Sequence, residues 1–411
     1  MLSAKQAEAV ILNLVQPLSS QQDVEIIDLE TANLRILATS VSSKLDFPYW
    51  DNSAMDGYAV CYEDVKNCNN EHPRILEIVE EIPAGYQPKT TIKSGQAARI
   101  FTGAMMPAGA DTIVIQENTI REGNQVKIFA APQPQEFVRH RGSFYRAGEP
   151  MLQPGIVINP PEIAVLATAQ CTKIPVYRRP KVAILSTGDE LVTPDQPMQP
   201  GQIVDSNQYA LASFVTSNGG IPIKLGIIPD DRQQLTKAIA SAIESADLVL
   251  STGGVSVGDY DYVEQILAQL GGEIQISSVA VKPGKPLTVA KFANGCVYFG
   301  IPGNPVSALV SCWRFVQPAL KKLSGLNHNW QPTFIKARTL DRLRSGGKRE
   351  TYLWGKLHLV DGIYKFALAG GSHNSGNLIN LAQTNSLAVI PIGQTEIEPG
   401  EQVEVMQVSY F

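Results

Sequence analysis

The tetrapeptide Leu-Ser-Thr-Gly occurs twice in this chain, at 185–188 and 250–253, each time directly after a short apolar run, 182–185 and 247–250. Apolar runs of this length that end in glycine read as buried strands. Strands buried on both faces belong to a mainly parallel sheet covered by crossover helices. Ligands of such a sheet sit outside the carboxyl ends of its strands, so the two turns are expected to line one crevice. Carboxylates follow both copies: Asp189 and Glu190 after the first, Asp259 and Asp261 after the second. Each turn, taken alone, reads first as a plain strand-to-helix connection, and it is the acids after both that favour a ligand.

At 411 residues the chain exceeds one ordinary core, and roughly 150 residues per domain implies two to four domains. The net charge of −5 gives bulk electrostatics no part in binding nucleic acid, so an anionic ligand must be held by local groups. No run reaches the length needed to cross a bilayer, so neither nucleic acid nor membrane is an expected partner. Residues 4–15 carry Lys5 and Glu8 inside an apolar pattern and read as an amphipathic helix instead of a signal peptide. The cysteines, at 61, 68, 171, 296 and 312, lack CxxC spacing, which indicates neither a disulfide framework nor a zinc site. A reducing, cytoplasmic setting is expected.

A second helix is expected over 29–40, with Leu34, Ile36, Leu37 and Ala38 on its core face. The segment 46–60 mixes aromatics with turn formers and reads as a loop, in which Asp56-Gly57 is either a functional polar site or a hairpin turn. From 74 to 130 short strands alternate with turns, among them Phe101-Thr102-Gly103-Ala104, and a small inserted β domain is expected. Arg139, His140, Arg141 and Arg146 surround Gly142 as a solvated cluster or an anion contact. Strands and helices then alternate from about 180 to 326, and 331–411 returns to short strands, a β barrel or sandwich.

Near the strand ends stand Asp189, Glu190, Asp230, Asp231, Asp259 and Asp261. Close carboxylates repel, and a divalent ion relieves the conflict; Mg²⁺ is commonly held by one or two carboxylates together with substrate phosphates. Asp231 is also placed to cap a helix. Lys282 and Lys285 flank a Pro-Gly turn and can face one anion. In Gly300-Ile-Pro302-Gly303-Asn304-Pro305-Val-Ser307, Asn304 is the expected N-cap and Pro305 the first helical residue, and the free amides offer a second anion subsite. There is no GxxxxGK[ST] loop and no GxGxxG after a strand. A phosphorylated ligand bound with Mg²⁺ fits these features best.

These stretches resemble the MoeA-like molybdopterin molybdotransferases. The resemblance rests on DNSAMDGYAV (51–60), FTGAMMPAGADTIVIQE (101–117), STGDEL (186–191), GIIPDDRQQL (226–235), STGGVSVGDYDYV (251–263), VKPGKP (281–286) and GIPGNPVSAL (300–309). It implies an α/β multidomain fold: an extended helical piece from 1–45 and 148–178, an inserted β domain at 46–147, a mainly parallel molybdopterin-binding domain at 179–327, and a β barrel at 328–411. It further implies insertion of molybdenum from molybdate into adenylyl-molybdopterin with release of AMP, in a cytoplasmic homodimer whose active site lies between subunits. Asp56 and Thr102 of one subunit would then face Glu190, Asp230 and Asp261 of the other. Substrate would touch Ser186, Thr187, Gly188, Ser251, Gly253, Gly254, Lys282, Lys285, Pro302, Gly303, Asn304, Pro305 and Ser307. Mg²⁺ would take Asp189, Glu190, Asp259 and Asp261. Molybdopterin adenylyltransferase and cofactor-accepting enzymes are the implied protein partners.

Two positions depart from the pattern: Phe144 stands where the family usually has an acid, and Trp354 where it has a second arginine after Arg349. Arg349 and Ser375 remain as oxyanion candidates. The alternatives are an adenylyltransferase, which shares only the α/β part, and a non-catalytic scaffold of the same fold.

Overall fold

In the computed structural model, residues 1–253 and 260–408 are described, without the side chains of 260–262. Gly254, Asp259 and the carboxylate of Asp261 therefore lie outside the described residues. Two compact units make up the chain: Met1–Thr39 with Pro154–Asn159 and Lys173–Phe411, and Ser40–Gln153 with Pro160–Thr172.

The first unit is built on a sheet of six strands: β1 (Lys181–Thr187), β2 (Ile221–Ile228), β3 (Leu248–Thr252), β4 (Glu273–Ser278), β5 (Pro286–Lys291) and β6 (Val297–Ile301), in the order β2-β1-β3-β6-β5-β4. The first four in that order are parallel, β5 runs antiparallel to β6, and β4 pairs antiparallel with β5 and so resumes the direction of the four. Alternate side chains of each parallel strand enter different cores, as a period of two demands. Val182, Ile184, Leu248, Leu250, Val297 and Phe299 join one core with Leu211, Phe214, Phe315 and Leu320. Ala183, Leu185, Val249 and Tyr298 join the other with Leu235, Ile239, Ile266 and Leu267. Both faces are thus sealed, and each fully buried Leu, Ile or Phe contributes about 1.5–3 kcal/mol. The N-terminal helix Ala4–Leu14, closed by a Ser3–Gln6 capping box, delivers Ala4, Ala7 and Ile11 to the first of these cores.

After the helical stretch 305–323 the same unit closes a five-stranded barrel from β7 (Phe334–Thr339), β8 (Glu350–Val360), β9 (Ile363–Leu368), β10 (Ser386–Ile390) and β11 (Gln402–Gln407). The order β8-β9-β7-β11-β10 is completed by pairing of β10 with β8, which leaves no free edge among these strands. The short strand Val281–Lys282, leaving the α/β sheet, pairs in parallel with Glu350 and Thr351 of β8.

The second unit holds its own six-stranded sheet, in the order Thr112–Ile115, Gly57–Val60, Gln96–Ile100, Arg74–Ile82, Gln125–Ile128, Thr119–Glu122. Gly57 is fixed by sterics, since a Cβ there would lie 2.1 Å from the Val114 carbonyl oxygen. The segment 52–53 pairs with Val138–Arg139 and not with Gly57–Val60, so Asp56-Gly57 is no hairpin turn. Two members of the basic cluster find acidic partners within the unit: Arg141 pairs with Asp46 at 2.7 Å and His140 lies 3.2 Å from Asp51.

The expected helix over 29–40 does not form. A single 3₁₀ turn, Leu29–Thr31, gives way to extended chain after Leu34 at φ 61°, and the amides of Leu37 and Ala38 donate to the carbonyls of Ile156 and Pro175. Leu34, expected in the core, is exposed. The apolar spacing was met by cross-strand partners distant in sequence, which local periodicity cannot reveal. Among the described residues no helix is long and apolar enough to cross a membrane.

Arg178 ties the start of the α/β sheet to the chain's first strand, donating to Asp23 at 2.7 Å and twice to Asp247 at 2.7 Å. Burial works against the Asp247 carboxylate, but the Arg178 guanidinium and the Lys181 amide outweigh it and hold its pKa below the usual value. Stability from a depressed carboxylate is present above the unfolded pKa of about 3.9 and is lost as pH falls through the folded one. Arg178→Met is expected to cost about 1–3 kcal/mol at pH 7. Its deficit in thermal melting should shrink in acid below about pH 4; a deficit that stays constant with pH would contradict this assignment.

Candidate functional site

The carboxyl ends of β1, β3 and β6 meet in one place. Thr187 ends β1, Thr252 ends β3 opposite Ser186, and Ile301 ends β6 opposite Thr252. The turn that follows β3 leaves no room for a side chain: at Gly253, φ is +89° and a Cβ would lie 2.1 Å from the Thr187 carbonyl oxygen. Gly303, after β6, packs against Gly253 in turn. Gly188 carries the Glu190 carboxylate folded back over it. The result is a cradle of main chain, with Thr187 Oγ1 buried and unpartnered beneath it. Ser186 and Ser251 are buried, and the Ser186 hydroxyl accepts from Thr252 Oγ1 at 3.1 Å, so their side chains belong to the sheet interior.

Asp189 and Glu190 are exposed directly beyond the cradle. The Asp189 carboxylate accepts from the Asp230 amide at 3.1 Å, which places the Asp230 loop beside β1. Asp231 does what a cap does: its carboxylate accepts from the Gln234 amide at 2.8 Å and opens the helix Arg232–Ser245. Among the described residues no three His, Cys, Asp or Glu side chains are grouped to hold a metal ion.

Beyond Gly303 the chain borders a cavity of about 520 Å³ lined by Lys282, Lys285, Asn304, Ser307, Arg349 and Ser375, all expected from the sequence. Trp354, which stands where the family usually has a second arginine, lines it as well, and so do Arg344, Tyr352 and His373, which the sequence did not single out. Lys282 and Arg349 arrive on neighbouring strands, for Val281–Lys282 pairs with β8 and Arg349 Nη1 donates to the Val281 carbonyl at 3.2 Å. Asn304 is the N-cap residue and Pro305 the first of the helix Pro305–Ser311, as expected. The anion subsite proposed there is modified by the barrel. Asn304 makes no capping bond and its Nδ2 donates to Ser375 Oγ at 3.3 Å, while the Val306 amide is taken by the Ser375 carbonyl at 3.2 Å.

In the other unit, Asp56 and Thr102 are brought together although 46 residues apart. The Thr102 amide and hydroxyl both donate to Asp56 Oδ1 at 2.7 Å, and the amide bond first, then the hydroxyl, holds the carboxyl below its usual pKa. Gly103 follows at φ +83°, so Phe101–Ala104 is a turn that also presents a carboxylate.

Sequence reasoning missed Asn207, whose buried side chain donates to the Gly303 carbonyl at 2.7 Å and fixes the loop under the cavity. Its only sequence signal, a polar residue at a helix start, is shared with ordinary caps. It also missed Arg314, which is 2% exposed in the π-turn Cys312–Val316, donates to the Tyr352 hydroxyl at 3.0 Å, and pairs with Glu8. Nothing in the local pattern distinguished it from a surface arginine.

Comparison with known proteins covers nearly the whole chain. Residues 2–169 match the profile of the MoeA N-terminal region (domain I and II), 183–322 a probable molybdopterin binding domain, and 336–408 the MoeA C-terminal region (domain IV). A molybdopterin molybdenumtransferase of Nostoc sp. is 61% identical over 99% of this chain and 94% of its own length. One from Haemophilus influenzae is 35% identical over 98% of both. The crystal structure of a molybdopterin biosynthesis MoeA protein from Pyrococcus horikoshii superposes with a TM-score of 0.84 at 27% identity, covering 99% of this chain and all of the other.

The cradle makes a steric prediction. Gly253→Ala adds both strain and a backbone clash, whereas Gly219→Ala, at φ +80° with open space around it, adds strain alone. Gly219→Ala should cost about 1–2 kcal/mol, and Gly253→Ala at least about 1–3 kcal/mol more. Equal losses of melting temperature in the two variants would refute the close approach.

Proposed function

Because the chain belongs to the MoeA family and is a molybdopterin molybdenumtransferase of molybdenum cofactor biosynthesis, we propose that it converts adenylyl-molybdopterin and molybdate into molybdenum cofactor and AMP at the rim of its mixed sheet. The observation that carries this reading is the juxtaposition of a main-chain cradle, which suits a ligand in close contact with backbone, and a cavity lined by Lys282, Lys285 and Arg349. Among the described residues Lys282 and Lys285 have no carboxylate partner, so their charge is available to phosphate oxygens.

In this reading the amides and carbonyls around Thr187, Gly188, Gly253 and Gly303 bind the pterin side, with Ser186 and Ser251 shaping the strand ends from below. Lys282, Lys285 and the loop Pro302, Gly303, Asn304, Pro305 and Ser307 orient the phosphates, and Arg349 with Ser375 hold the oxyanion. Gly254 would complete the cradle. The donors also fit Mg²⁺: Asp189 and Glu190 are hard oxygen ligands at the strand end, and two carboxylates plus substrate phosphate is the ion's usual set. Asp259 and Asp261 would complete it. Bound there, Mg²⁺ would polarise the phosphoanhydride. The residues of this chain then have positional work only, because the sulfurs that capture molybdenum belong to the substrate, and Asp230 keeps Asp189 oriented through its amide.

The protein would act as a homodimer, with Asp56 and Thr102 of the partner subunit facing this rim. Four domains, at 1–45 with 148–178, 46–147, 179–327 and 328–411, are the corresponding division of the chain. A molybdopterin adenylyltransferase would supply the substrate, and enzymes that take up the finished cofactor would follow, in the cytoplasm.

Lys282→Ala should lower kcat/KM for cofactor formation by at least about tenfold, the scale of one charge-assisted hydrogen bond. Asp56→Ala should be comparably impaired. An equimolar mixture of the two inactive variants should regain about a quarter of wild-type activity, since half of the dimers contain one intact site. Absence of any recovery after subunit exchange would rule out a shared site.

A further inference from the structure

The cavity beside Lys282 contains two polar atoms that the fold leaves without partners. Among the described residues Trp354, 1% exposed, has no acceptor for its indole Nε1–H, and His373 has no partner for Nδ1. Both side chains line the cavity, and their rings stack with centroids 4.4 Å apart. Buried donors and acceptors in folded proteins are nearly always paired, so two orphans on one cavity wall point to a ligand that pairs with them.

The chemistry of His373 says which kind. Its Nε2 lies 2.8 Å from the Ala369 carbonyl oxygen. A carbonyl can only accept, so Nε2 carries a proton. Nδ1 is then an acceptor in the neutral ring and a donor in the charged one. The charged groups facing it are Lys282 and Lys285 from the loop after Val281–Lys282, Arg349 at the entry to β8, and Arg344. Arg344 is the one of these with a carboxylate partner, Glu396 at 3.1 Å. Among the described residues no carboxylate lines the cavity, and the Tyr352 hydroxyl is engaged by Arg314 and Glu350. The charged side chains that line the cavity among the described residues are all positive, while Glu350 and Glu396 are engaged by Tyr352 and Arg344, so a tetrahedral dianion entering the cavity favours a proton at Nδ1.

We propose that His373 is an anion-linked proton acceptor: molybdate binds in this cavity with uptake of one proton at Nδ1, which donates to the anion alongside the Trp354 Nε1–H. The inference rests on the reading of this cavity as the oxyanion site and adds to it a proton and two contact residues. The sign follows from linkage. The ring holds its proton more tightly with the anion present, so affinity is greatest at low pH and falls as pH rises through the window between the two states.

Calorimetric titration of the full chain with molybdate alone, in buffers of different ionisation heat between about pH 6 and 8.5, reads the proton count directly. Wild type should take up a substantial fraction of one proton and lose about tenfold in affinity across that range. His373→Gln, whose amide still donates to the Ala369 carbonyl, should show neither uptake nor pH dependence. Trp354→Phe should bind several-fold more weakly and keep the uptake. Equal proton counts in wild type and His373→Gln would overturn the role of His373. Arg349→Ala separates the two levels: if it leaves molybdate affinity unchanged, or wild type does not bind, the cavity is not the oxyanion site and both readings fall. If Arg349→Ala weakens binding while His373→Gln behaves as wild type, only the proton-linked proposal falls.

Discussion

The backbone at Gly253 passes so near the Thr187 carbonyl that one methyl group would not fit, and the rest of the rim is arranged by that contact. Two parallel strands brought this close at their ends, with Gly303 packed on the third, produce a wall of peptide groups in place of side chains. Peptide groups seated on a sheet with both faces sealed move little, and their dipoles stay aimed at one volume. Flexible charged side chains can then be supplied from the flanks without having to define the shape of the site themselves.

That flank belongs to the barrel. Val281–Lys282 leaves the α/β sheet and enters the ladder of β8, so the register of the pairing sets where Lys282 stands relative to Arg349. Behind the ladder, Arg314 reaches the Tyr352 hydroxyl and Glu8, and Tyr352 donates to Glu350. Burial works against charge on Arg314, and its attraction to Tyr352 and Glu8 overcomes it. A buried ion pair of this kind adds little net stability against an apolar replacement, yet losing one partner is expensive. Its effect is geometric: the N-terminal helix, the π-turn and the barrel wall are held in one arrangement, and Tyr352, held by Arg314, lines the cavity.

Much of this was legible in the sequence because it is written in local patterns. The repeated LSTG after apolar runs specified parallel strands and their ligand-facing ends, since burial on both faces removes polar alternation. Pro305 after Asn304 marked a helix start, and Asp231 three residues before Gln234 marked a cap. What escaped depends on partners far along the chain. Residues 29–40 carry helical spacing but are extended because Ile156 and Pro175 accept their hydrogen bonds. Asn304 is the N-cap as its place before Pro305 indicated, but its side chain makes no capping bond and is drawn to Ser375, 71 residues on. His373 and Trp354 meet only when the barrel closes. The pair Asp56 and Thr102 was found through a resemblance between motifs, and local spacing offered no reason to join them.

A transferase that handles a thiophilic metal must also keep its own sulfur out of the reaction. The thiolate, not the thiol, is the competent metal ligand. All five cysteines of this chain have thiol pKa values raised by burial, Cys296 to about 12, so none is ionised near neutral pH. Cys312 lies wholly within the core beneath the helix that starts at Pro305, and none of the five lines the cavity. Lysine and arginine surround the proposed oxyanion instead, and their N–H groups bind a tetrahedral oxide through its oxygens without offering the metal a lone pair. In the proposed reaction the thiolates that take the metal are left to the substrate, and a site that positions two anions would need no nucleophile of its own.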